Sequence, residues 1–119
     1  MAVRETEASL AAVDVYSDFL RLVRDGAGQL YLLLFCDGPD PDDEGYERLE
    51  LALPLSAERL QALERGELDL RTAYLEPEQG ELAMAVAWPD GRESLNFLPA
   101  DEVFFQHLPG RVLLKRRPL

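Results

Sequence analysis

The densest run of chemistry-capable side chains in the 119-residue sequence is Asp37-Gly38-Pro39-Asp40-Pro41-Asp42-Asp43-Glu44-Gly45, with five acids in nine positions. Hard oxygen ligands at alternate positions suit calcium, and Asp40, Asp42, Glu44 and Gly45 fall at the first, third, fifth and sixth places of an EF-type loop. The match breaks at its far end. The twelfth place, where a bidentate glutamate belongs, is Leu51, and Pro41 occupies the second. Residues from 46 onward alternate as a strand instead of opening a helix. The stretch therefore reads as an exposed loop kept extended by its own charge, with Asp40, Asp42 and Glu44 as the weak metal candidates of the chain and no cofactor expected.

Nucleophilic chemistry has little to draw on. His107 is the single histidine and Cys36 the single cysteine, and no spacing unites them with an acid in a triad. Cys36 ends an apolar run, where a free cysteine serves as a small buried side chain. Carboxylates are plentiful, but a general acid needs burial to raise its pKa, and these sit in loops or on polar faces. Neither a phosphate-cradling glycine loop nor a GxSxG elbow occurs. No catalytic residue is predicted. The candidates for a contact surface are Arg59, Arg71 and Tyr74 on two consecutive helices, with Phe104 and Phe105 further on; for the arginines, pairing with a local carboxylate is the plainer role.

The elements that must position these residues are organised around Leu55 to Pro77. Ser56 can cap a helix by accepting from the free N–H groups of its first turn, Glu58 favours the positive end of the dipole, and Leu55 with Leu60 has the spacing of a hydrophobic staple. Leu60 and Leu63 point one stripe inward, Gly66 stops the helix, Asp69 caps a second one, and Pro77 ends that run. Helices are expected near 57 to 65 and 69 to 75. A DNA-reading pair of helices would carry several exposed Arg or Lys on the second helix; here only Arg71 lies there, in an acidic chain, so nucleic-acid binding is not expected.

Around the helices the pattern is that of strands. Phe19 to Arg24, the turn Asp25-Gly26-Ala27-Gly28 and Leu30 to Cys36 make a hairpin, and the run LYLLLFC, apolar on both faces, reads as a central strand covered on both sides. Residues 46 to 53 place Leu49, Leu51 and Leu53 on one face and Arg48, Glu50 and Ala52 on the other. Residues 82 to 88 place Leu82, Met84, Val86 and Trp88 opposite Ala83, Ala85 and Ala87, an alanine face fit for a helix or another subunit. Glu93 to Phe97 returns after Pro89-Asp90-Gly91. Residues 99 to 110 contain a short helix, followed by a final apolar strand at 112 to 114. The expected fold is α+β, a single domain with a mostly antiparallel sheet of about five strands, two short helices inserted mid-chain and a short C-terminal helix. Residues 1–12 read as a flexible arm or short helix ahead of a domain spanning 13–119, the alternative being that they fold back to cover the sheet.

The net charge is −11, and Arg111, Lys115, Arg116 and Arg117 cluster at the end, which leaves a still more acidic body. Such a field repels nucleic acid and anionic lipid and attracts basic partners, although acidity also simply keeps small domains soluble. The apolar runs are too short to cross a bilayer, and no basic segment leads into an apolar stretch at the N-terminus. One cysteine agrees with a reducing compartment, so the cytoplasm is the expected setting.

Gln29-Leu30-Tyr31-Leu32, the segment from Leu53-Pro54-Leu55-Ser56 to Leu63, and Gly66 to Tyr74 with Pro77-Glu78 together resemble an uncharacterised bacterial domain family of short proteins. The similarity spans roughly residues 13 to 86 and implies a bacterial cytoplasmic setting, with no catalytic residues to carry over. The leading functional expectation is a small acidic protein-interaction module, of the immunity or anti-defence type, that binds a basic protein partner. A small enzyme using Cys36 or clustered carboxylates is second. An accessory domain that self-associates as a homodimer through the alanine face, Phe104 and Phe105 is third.

Overall fold

In the computed structural model residues 4–7, 9–37 and 47–99 are described, positions 4–7, 36 and 37 by their backbone. They form an α+β unit with one antiparallel sheet. The strands are β1 (Arg4–Glu7), β2 (Ala11–Ser17), β3 (Leu20–Arg24), β4 (Leu30–Asp37), β5 (Arg48–Leu55), β6 (Glu81–Ala87) and β7 (Glu93–Pro99), and α1 (Ala57–Glu64) and α2 (Leu70–Leu75) lie between β5 and β6. The sheet order is β1-β7-β6-β5-β4-β3-β2. Seven strands stand where about five were expected, because the segment read as an arm or helix contains β1 and the start of β2. Helix-permissive residues there have no apolar stripe to bury, whereas the backbone of β7 offers β1 a ladder to join. The short C-terminal helix, the last strand, Phe104, Phe105 and His107 lie outside the described residues.

Chain continuity dictates the shape of the sheet. Three residues separate Glu7 from Ala11, a reach of at most about 14 Å. Seven strands laid flat would hold β1 and β2 about 29 Å apart. The sheet must therefore curl until its two edges meet through the chain itself. Its register shows the same closure: Arg4 pairs with Phe97, Phe97 with Ala83, Ala83 with Ala52, Ala52 with Leu33, Leu33 with Arg21, and Arg21 with Val15. One circuit thus climbs from position 4 to position 15 of one segment, the stagger that a barrel requires.

Two apolar layers follow. Outside the curled sheet, Leu22, Leu32, Leu51, Leu53 and Leu82 pack against Leu63 of α1 and Leu70, Ala73 and Tyr74 of α2. A fully buried leucine such as Leu63 contributes about 1.5–3 kcal/mol. Inside it, Val23, Tyr31, Leu33, Ala52, Ala83, Ala85 and Leu95 form the second cluster. The alanine face expected to meet another subunit is thus buried within one chain. Small side chains at neighbouring positions of β5 and β6 leave room for Tyr31, Leu33 and Leu95 in a narrow interior. β4 is apolar on both faces because it borders both layers; it is an interior strand, and β5 is the middle one.

The helical insertion follows its sequence signals. Ser56 accepts from the Arg59 N–H at 3.1 Å, and Asp69 accepts from the Thr72 N–H at 2.8 Å. Gly66, with φ of +77°, closes α1 as its N–H donates to the Leu63 carbonyl and the Glu67 N–H to the Ala62 carbonyl. The β3–β4 hairpin turns on Asp25, whose Oδ1 accepts from Ala27 and Gln29 N–H groups, both at 2.9 Å.

Candidate functional site

Among the described residues charged side chains gather at several places on the surface, and two of these are hollows with distinct chemistry. The first is an open hollow of about 640 Å³ on the helical layer, lined by Glu58, Arg59, Glu67, Glu76 and Glu78 among others. The caps of α1 and α2 fix its walls. Glu78 accepts from the Ser56 N–H at 2.8 Å, which anchors the segment after α2 to the start of α1. Arg59 donates from Nη2 to the Glu76 carbonyl at 2.6 Å, so its guanidinium tethers the end of α2. Arg65 pairs with Glu67 on the exposed rim, with Nε 2.9 Å from a carboxylate oxygen. Carboxylates remain in excess.

The second region is the end of the barrel where the interior face turns from apolar to charged. Arg21 of β3 reaches across β4 to Glu50 of β5, with Nε donating to Oε2 at 3.0 Å and Nη2 to Oε1 at 2.7 Å. Glu50 is buried, only 6% of its side chain being exposed, and Arg48 lies 4.0 Å from its Oε1. The Glu50 hydrogen bonds raise the Arg21 pKa above its ordinary value, burial opposes this, and the charges of Glu50 and Glu93 add to the rise. The pair satisfies a carboxylate that could not be buried alone.

The contact residues predicted from sequence separate. Arg59 lines the helical hollow, on an intermediate position. Arg71 is half-buried on α2. Tyr74, expected as a contact residue, is fully buried: its hydroxyl donates to the Leu32 carbonyl of β4 at 2.8 Å, so it holds the helical layer to the sheet. The ring points inward because α2, one and a half turns long, has only the Leu70, Ala73, Tyr74 side to pack. Asp40, Asp42, Glu44, Phe104 and Phe105 lie outside the described residues, and of Cys36 only the backbone in β4 is described. Among the described residues no group of three or more His, Cys, Asp or Glu is arranged to hold a metal ion, and no helix is long and apolar enough to cross a membrane.

Arg21 and Glu50 escaped the sequence reading because Arg48, Glu50 and Ala52 formed the polar side of an alternating strand. A signal was available: β4 is apolar on both faces, so the face its neighbours β3 and β5 share with Leu33 must be covered, and Arg21 and Glu50 occupy that face. No family model matches the chain, and no match is found among curated proteins or solved structures.

Proposed function

We propose that the protein is a small acidic interaction module, of the immunity or anti-defence type, whose carboxylate-rich helical layer docks onto the basic site of a protein partner. The observation that carries this reading is the convergence of Glu58, Glu67, Glu76 and Glu78 on one hollow, where Arg59 is tied to a backbone carbonyl and Arg65 answers only Glu67. Exposed carboxylates of one sign steer a cationic surface into contact and repel nucleic acid, so the natural target is the patch with which a nuclease or similar enzyme holds its own anionic substrate. The partner's lysines and arginines supply the opposite charge, and the cytoplasm is where such a module would meet it.

The reading is tested by capturing partners from the host with the native chain and with a variant carrying Glu58→Gln, Glu67→Gln, Glu76→Gln and Glu78→Gln. The Glu78→Gln change keeps a side-chain oxygen for the Ser56 N–H, so the fold is retained. Capture of a basic protein should fall about tenfold or more in the variant and should weaken with added salt. Equal capture by both chains would show that the helical layer is not the interface.

A further inference from the structure

Among the described residues three large apolar side chains are exposed, Val13, Val15 and Phe19. Two of them, Val15 at 43% and Phe19 at 62%, border one hollow of about 310 Å³ at the charged mouth of the barrel. Phe35 forms its aromatic wall, its ring centroid 6.3 Å from that of Phe19 at a tilt of 56°, and Arg21, Arg48 and Glu50 form the polar side. Single exposed apolar residues are ordinary. Here they gather beside a guanidinium that the fold has left with donors to spare. The 4.0 Å ion pair to Glu50 is too long for a hydrogen bond, and the Arg48 side chain is 49% exposed. Arg21 spends Nε and one Nη2 hydrogen on Glu50 and keeps Nη1.

We propose that this mouth is a binding site for a carboxylate carried on a compact apolar body. The carboxylate takes the Arg48 fork and the remaining donors of Arg21, while the apolar body lies against Phe19, Phe35 and Val15. Glu50 acts as a positioning residue: both its oxygens are engaged by Arg21, so it fixes that guanidinium and holds Arg48 nearby without accepting a ligand cation. A single negative charge fits better than a doubly charged phosphate, because Asp18 stands on the rim and repels a second one. The volume suits a ligand with one ring or branched side chain, at the small end of ligand cavities, and barrel mouths are among the places where such sites form.

The probe is 3-phenylpropionate, titrated into the isotope-labelled full chain while the amides of Phe19 and Phe35 and the Nε–H groups of Arg21 and Arg48 are followed by NMR. Saturable shifts confined to these groups are expected. Acetate, which lacks the body, and 3-phenylpropanamide, which lacks the charge, should each bind about tenfold more weakly. Arg48→Gln and Phe19→Ser should each weaken the acid by a similar factor; both residues are exposed, and an unchanged amide pattern elsewhere verifies the fold. Arg24→Gln, at the exposed far end of β3, should leave binding as it was. Inorganic phosphate should not compete. The peptide Gly-Gly-Phe with a free carboxylate separates two sources of the same chemistry: tighter binding than the free acid assigns the site to a chain terminus, weaker binding to a small acid. No saturable shift by about 20 mM, equal affinity for the amide, or indifference to Arg48→Gln overturns the proposal.

Discussion

Tyr74 joins the two layers at one atom. Its hydroxyl reaches the Leu32 carbonyl from a fully buried position, so the carbonyl of an interior strand gains a donor from the helical layer. Tyr74→Phe keeps the ring and removes that donor. The loss should be about 1 kcal/mol, read as a lower denaturant midpoint with an unchanged slope; an unchanged midpoint would show that the sheet ladder alone satisfies Leu32. The Arg21–Glu50 pair is another residue-scale contact made far along the chain. Neither was legible, because the sequence distance from Leu32 to Tyr74, or from Arg21 to Glu50, carries no local signal. What was legible at this scale is what neighbours decide: the Ser56 and Asp69 caps each use an acceptor and an N–H three residues apart.

The elements with local punctuation are α1, α2 and the two hairpins around Asp25 and Asp90. Gly66 shows why such signals are strong. At φ of +77° it occupies a conformation that costs other residues energy, and both closing hydrogen bonds of α1 depend on that turn. Gly66→Ala should destabilise the protein by about 1 kcal/mol without moving the helix boundary, measurable by thermal or chemical unfolding. An equal or higher stability would mean that the turn does not need the left-handed conformation that glycine enters freely. By contrast, β1 has only the sequence Arg-Glu-Thr-Glu, without apolar alternation, and its ladder partner lies in β7 near the far end of the described chain. A strand of that kind is defined by its partner rather than by its own residues. β2 was hidden for a related reason: the register slips between Ala12 and Asp14 and between Val15 and Ser17 break the two-residue alternation by which strands are read.

At the scale of the molecule, curling the sheet explains several features at once. It places the alanines of β5 and β6 inside, leaves the outer face for the two helices, and puts the charged ends of β3 and β5 at a mouth. It also supplies apolar cover for the sheet from within one chain, which was the alternative to a second copy. The closure depends on the N-terminal segment, which contributes β1 to one edge and β2 to the other. Removing residues 1–7 deletes four paired positions of the β1–β7 ladder. With cross-strand pairs contributing roughly 0.2–1 kcal/mol each, the truncated chain should be less stable by about 1–4 kcal/mol. The loss should be local in hydrogen exchange: amides of β7, from Ser94 to Phe97, should exchange faster, while those of β4 and β5 beneath the helices keep their protection relative to global unfolding. Unchanged protection of β7 would show that its outer edge is not held by β1 in solution, and the ring would then be an open, curled sheet.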